Sequence, residues 1–205
     1  MQDCQDCPES FFNPITGQTK CTLRCADGFH CIKAAYHPRQ SDGIRGELCL
    51  LGHYCNDGEM KRCQIGTYQN LRGQGSCTIC PAGYYCNMTV GGVVFGSEKP
   101  AECPDNRYCP EGTGDPKRCP DGTYAATGKR LETLNHCIPC KPGRYCKDGV
   151  INDQQLCDAG YFCKSGAASP NDSKMKCPAG FYCDRGTKIP KKCLNGKFSK
   201  EGAVS

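Results

Sequence analysis

The sequence predicts a small disulfide-rich fold: an elongated tandem array of cysteine-rich units with short β-hairpins and little helix. Three observations predict it. Cysteine supplies 22 of the 205 residues, above the proportion that marks a disulfide scaffold. Leu, Ile, Val and Phe together number 29, and Trp is absent. That is too little apolar volume for a Rossmann fold, a TIM barrel or a helix bundle. The cysteines also recur at fixed spacings, which marks a repeat architecture rather than one large core.

The first repeating unit is Cys-x5-Cys. It occurs seven times, at Cys25/Cys31, Cys49/Cys55, Cys80/Cys86, Cys103/Cys109, Cys140/Cys146, Cys157/Cys163 and Cys177/Cys183. Its fourth residue is Gly in six copies and Asn106 in the other. Gly and, after it, Asn tolerate positive φ, so a left-handed backbone is expected there. Cys-Pro-Ala-Gly, as at Cys80 and Cys177, suits a type I turn with Pro second and Gly fourth. The residue before the second Cys is aromatic in six copies and His30 in the other. Each ring is expected to cover its own bridge as a miniature core.

A second unit opens as Cys63-Gln-Ile-Gly-Thr-Tyr and runs to Cys77; another opens as Cys119-Pro-Asp-Gly-Thr-Tyr and runs to Cys137. Cys7-Pro-Glu-Ser-Phe-Phe, running to Cys21, is a looser copy, and Cys193-Leu-Asn-Gly-Lys-Phe starts a fourth. The openings Cys7, Cys63 and Cys119 are 56 residues apart, and Cys193 follows after 74. They divide the chain into the end of a preceding repeat (1–6), three cysteine-rich blocks (7–62, 63–118 and 119–192, the last with an extra unit) and the start of a further repeat (193–205). The blocks hold six, six and eight cysteines. Cys4 and Cys193 are left over. Their partners are expected in flanking sequence, or Cys4 pairs inside the first block and shifts its register.

Spacing alone does not fix the connectivity. The simplest pairing joins each second-type opening to its next cysteine, as Cys63–Cys77 and Cys119–Cys137. For the Cys-x5-Cys units, local closure (Cys80–Cys86) competes with interleaving (Cys80–Cys103 with Cys86–Cys109). A bridge closing seven residues stabilises by about 2.4 kcal/mol, and one closing fifteen by about 3 kcal/mol, through lost chain entropy of the unfolded state.

Secondary structure is expected to be sparse. No stretch keeps a 3.6-residue period, so no helix longer than about two turns is expected. Asp57-Gly58, Asp121-Gly122 and Asp148-Gly149 are the expected turn carriers of short hairpins. The polar, Gly-rich intervals 32–48, 87–102 and 164–176 read as surface loops.

The pattern Cys-x-x-Gly-Thr-Tyr-xn-Cys-x-x-Cys-Pro-x-Gly-x-Tyr, from Cys63 to Tyr85 and with variation from Cys119 to Tyr145, resembles the ephrin-receptor-like cysteine-rich repeat. It is more loosely similar to the repeats of tumour necrosis factor receptors and to growth-factor-like modules. The resemblance covers nearly the whole chain in tandem. It implies an elongated extracellular rod without catalysis. The extra cysteine after the tyrosine (Cys86, Cys146) departs from the simplest such repeat. No ligand-contact residue carries over, because those repeats share a scaffold and no common binding motif.

Other chemistries find little support. Zinc would need two Cys-x2-Cys pairs close in sequence. Cys4/Cys7, Cys77/Cys80 and Cys137/Cys140 start 73 and 60 residues apart, and disulfide units account for every block. Catalysis by a Cys-His pair would need one special thiol, and no cysteine breaks the repeat apart from the two end ones. No catalytic residue, cofactor or metal is therefore expected. Asn87-Met-Thr and Asn171-Asp-Ser are N-glycosylation sequons, so Asn87 and Asn171 are candidate glycan sites. The net charge of +5 does not by itself imply nucleic acid. Lys174, Lys176, Lys188, Lys191 and Lys192 form the densest basic region; an anionic-glycan or acidic-partner surface competes there with a plain solvated face.

The compartment follows from the sulfur. So many thiols belong where they oxidise, in a secreted or cell-surface protein. Met1-Gln-Asp-Cys4 has no apolar core of a signal peptide, and Val90-Gly-Gly-Val-Val-Phe95 is too short to span a membrane. The chain reads as a segment of a longer extracellular protein, with membrane attachment only through an anchor elsewhere. The expected role is structural or adhesive, through protein partners or self-assembly. A receptor ectodomain binding a protein ligand is the alternative.

Overall fold

A computed structural model describes residues 4–126, 128 and 130–205. Among them the fold is small, disulfide-rich and built of two-stranded antiparallel sheets, nine in number, most with strands of two or three residues. Two three-residue 3-10 turns, Leu134–His136 and Ser173–Met175, are the helical content. The chain forms two compact units: Met1–Glu102 with Pro110–Asp115, and Cys103–Cys109 with Pro116–Ser205.

The core is sulfur. Seventeen cysteines are buried, joined by Phe12, Ala35, Ala125, Leu131 and Ala167. Every large side chain exposed by less than 2 % is a cysteine. All seven Cys-x5-Cys units close locally: Cys25–Cys31, Cys49–Cys55, Cys80–Cys86, Cys103–Cys109, Cys140–Cys146, Cys157–Cys163 and Cys177–Cys183. The longer loops are closed by Cys7–Cys21, Cys63–Cys77 and Cys119–Cys137. Cys4 and Cys193 are free.

The turn in the Cys-Pro-Ala-Gly units is shifted by one residue from the sequence expectation. In Cys80-Pro-Ala-Gly-Tyr, the Tyr84 N–H donates to the Pro81 carbonyl at 3.2 Å. Gly83 (φ +81) is thus third in the turn, where a type II turn requires positive φ. Asn106 takes φ +63 at the same place.

Asp57-Gly58 (φ +53, +79) turns the hairpin of His53–Asn56 and Glu59–Arg62. Two successive positive φ values match the right-handed twist of the flanking strands. Asp148-Gly149 (φ +56, +77) makes the same turn beside the Lys147–Val150 bridge. Asp121-Gly122 is not a hairpin tip: it belongs to the Cys119 turn, and the Asp121 carboxylate accepts from the Asp148 N–H at 2.9 Å. The interval 87–102 is more ordered than a loop. Met88–Val90 pairs with Val93–Phe95 around Gly91-Gly92, and Ala101–Glu102 pairs with Tyr84–Tyr85.

Candidate functional site

What the repeats build is a ladder of backbone hydrogen bonds between successive units. In the first compact unit, the Gly28 N–H donates to the Cys55 carbonyl and the Gly28 carbonyl accepts from the Cys49 N–H, both at 2.9 Å. Gly66 does the same with Cys86 and Cys80, and Gly52 with Gln69 and Cys63. Ser10 takes the glycine's place in the Cys7 turn: it donates to Cys31, accepts from Cys25 and lies at φ +74. In the second compact unit, Gly122, Gly143, Gly160 and Gly180 pair in this way with the units opening at Cys140, Cys157, Cys177 and Cys193.

A second set of bonds returns from each unit to the one before. Gly73, Gly112, Gly166, Gly186 and Gly202 donate to the carbonyls of Cys49, Cys80, Cys140, Cys157 and Cys177. The residue after each of these glycines accepts from Cys55, Cys86, Cys146, Cys163 and Cys183 in turn. At Cys49/Cys55, Cys80/Cys86, Cys140/Cys146, Cys157/Cys163 and Cys177/Cys183, both backbone polar groups of each buried cysteine are thereby satisfied. Sulfur closes each unit, and backbone amides join it to the next.

The returning glycines leave only a weak mark in the sequence. The signal is Cys-x-x-Gly after the second cysteine, as in Cys109-Pro-Glu-Gly112, Cys163-Lys-Ser-Gly166 and Cys183-Asp-Arg-Gly186. After Cys86 an inserted hairpin delays it to Gly96, which donates to Cys63.

The rings do not simply cover their own bridges. Tyr145 packs against the cluster of Cys157, Cys163 and Ala167, and Tyr108 against Cys119, Ala125 and Leu131. Each therefore adds an apolar contact to the following unit.

The sequons are placed differently. Asn87 is part-buried, and its side-chain amide donates to the Gly114 carbonyl at 2.5 Å. Asn171 is exposed beside the Ser169 hydroxyl, 3.1 Å away. Among the described residues no three His, Cys, Asp or Glu side chains gather to hold a metal. His30 Nδ1 lies 3.0 Å from the Gly58 carbonyl, and His53 Nδ1 lies 2.8 Å from the Leu51 carbonyl.

Electrostatic perturbations are few and lie at the surface. Asp42 accepts from the Arg45 and Ile44 amides, from Gln40 and from Gly46. These donors, led by the Arg45 amide, hold its carboxyl down at about 2. A hydrogen bond and ion pair with Lys61 lowers Glu59 and raises Lys61. Asp184 likewise raises Lys191.

Among known proteins, no family model matches the chain and no curated protein is similar to it. Many disulfides are typical of extracellular or secreted proteins. Among the described residues no helix is long and apolar enough to cross a membrane.

Proposed function

We propose that the chain is a non-catalytic structural or adhesive segment of a large secreted or cell-surface protein, acting as a disulfide-stapled spacer or assembly surface. The observation that carries this reading is the division of labour between sulfur and backbone. Each bridge closes one unit, and amide bonds tie units to their neighbours, four of them between the units of Cys157–Cys163 and Cys177–Cys183. Such an array resists local opening because each step is cross-linked, and it grows by adding units without a new core. The resemblance to ephrin-receptor-like repeats supports the same reading.

Trypsin tests it directly, because the 26 Lys and Arg residues are potential cleavage sites spread along the chain. The oxidised chain should survive intact for hours and the reduced chain should be cut within minutes. Equal cleavage rates would remove the basis for a stapled spacer.

One observation favours a second reading, an ectodomain that binds a protein ligand. The inserted hairpin Met88–Phe95 exposes Val90, Val93 and Val94. Replacing the three valines by threonine should leave trypsin resistance unchanged. If saturable binding of the chain to one cell-surface protein is lost with them, the ligand-binding reading replaces the structural one.

A further inference from the structure

Between Lys174 and Lys200 the chain carries eight cationic side chains and one carboxylate, Asp184, although the net charge of all 205 residues is only +5. The rest of the chain is therefore net negative, and the positive charge is concentrated on its last two units. All eight cations are exposed.

The fold gathers three of them around one hollow. Lys191–Lys192 pairs antiparallel with Phe181–Tyr182, directly beside the Cys177–Cys183 bridge. Arg185, Lys188 and Lys191 line one open hollow of about 400 Å³, with Ile189 at its rim. Asp184, the one acid there, is bonded to Lys191. Arg185 and Lys188 are left without a carboxylate partner among the described residues. Asp184 also keeps Lys191 above the ordinary lysine value, so it stays charged.

Two of the stems lie against backbone. Lys188 Cγ lies 2.9 Å from where a Cβ on Gly143 would be, and Lys176 Cε lies 2.9 Å from that of Gly202. Stems laid along the ladder keep their ammonium groups in water. They also have less rotamer freedom to lose on binding.

We infer that the hollow of Arg185, Lys188 and Lys191, with Lys192 next in the same strand, is a binding site for a linear polysaccharide carrying sulfate or carboxylate groups. Three cations around one hollow, on a cross-linked ladder, suit a polyanion with charges repeated along its length, and such binding is driven by release of its counterions. The disulfide content favours a polysaccharide over nucleic acid, because it belongs to the oxidising compartments where sulfated and uronic-acid polymers are the abundant polyanions. The choice of a polysaccharide rests on the secreted or cell-surface location proposed above, whereas heparin binding and trypsin resistance can each fail alone.

The test is binding of heparin to the full chain at two salt concentrations. Neutral dextran and double-stranded DNA serve as competitors. We expect binding at physiological salt that weakens steeply as salt rises and is not displaced by dextran. The variant Arg185→Gln/Lys188→Gln/Lys191→Gln should bind about tenfold more weakly, equivalent to 1.4 kcal/mol. The control Lys20→Gln/Lys33→Gln/Lys117→Gln has the same net charge and should lose less than about threefold. On the unaltered chain, heparin should shield Lys188 and Lys191, but not Lys20, from acetylation, a result that does not depend on how the variants fold. Equal weakening of both variants, equal acetylation at the three lysines, no binding at physiological salt, or tighter binding to DNA would each overturn the inference.

Discussion

Gly160 and Gly202 meet backbone to backbone: a Cβ on Gly160 would sit 2.8 Å from the Gly202 carbonyl oxygen. The same meeting recurs at Gly143 and Gly186, where the distance would be 2.5 Å, and at Gly28/Gly73, Gly66/Gly112 and Gly122/Gly166. The glycines of the turns thus have two duties. They adopt positive φ, and they let the returning strand of the next unit come close enough for the amide ladder.

This double duty separates two glycines with similar backbone. Gly17 has φ +76 and nothing within 4 Å of its missing Cβ; Gly160 has φ +86 and the Gly202 carbonyl in the way. Gly17→Ala should cost about 1 kcal/mol, the left-handed penalty alone. Gly160→Ala should cost about 2 kcal/mol or more. Denaturant unfolding with the bridges intact measures the difference. Hydrogen exchange should quicken at the Cys177 amide, bonded to Gly160, and stay unchanged at Cys25.

Ser10 is the opposite case, a side chain where the other units carry Gly or Asn. It is buried and left-handed at φ +74. Ser10→Gly should stabilise by about 1 kcal/mol, because the left-handed penalty disappears. Asn106→Gly should gain less, since Asn tolerates φ +63 with little strain. A rise in the unfolding midpoint for the first variant, larger than for the second, is the expected result.

Much of this was legible in the sequence, for a physical reason. The bridge needs cysteines at fixed separation and the turn needs a residue that accepts positive φ, so Cys-x2-Gly-x2-Cys and the exception at Asn106 announce the unit. What joins the units is backbone, which leaves only a weak trace in residue identity. Local and interleaved pairing of Cys80 and Cys86 therefore stayed open, and Gly96 stayed hidden behind its inserted hairpin. The sequence places the ring of Tyr145 next to its own bridge, while its packing against the next unit's cluster of Cys157, Cys163 and Ala167 leaves no trace in the spacing. The sequence marks Cys193 as an opening of the second type. Its unit takes Gly180 through the Cys193 N–H and the Ser199 carbonyl, just as Gly52 is taken through Cys63 and Gln69.

Asp42 organises the loop before Gly46 by accepting from the amides of Ile44, Arg45 and Gly46. Its folded-state value of about 2 lies below the ordinary 3.8. The contribution is therefore fully present above about pH 4 and is lost as pH falls through 2. The Asp42 carboxyl resonance should titrate near pH 2, and the Arg45 amide should lose its protection over the same range. Asp42→Asn should abolish that pH dependence.

The two sequons should behave differently when substituted. Asn87→Ala removes the donor to the Gly114 carbonyl and should cost about 1 kcal/mol. Asn171→Ala touches only an exposed turn and should leave the unfolding midpoint within about 0.5 kcal/mol of the parent. Thermal unfolding of the two variants side by side reads the difference.

The most direct measurement is a disulfide map of the unreduced chain by peptide mass spectrometry. Local closure predicts peptides in which Cys80 is joined to Cys86, Cys157 to Cys163 and Cys177 to Cys183, with Cys63 joined to Cys77 across its longer loop. Finding Cys80 joined to Cys103 and Cys86 to Cys109, or finding these thiols free, would contradict the account.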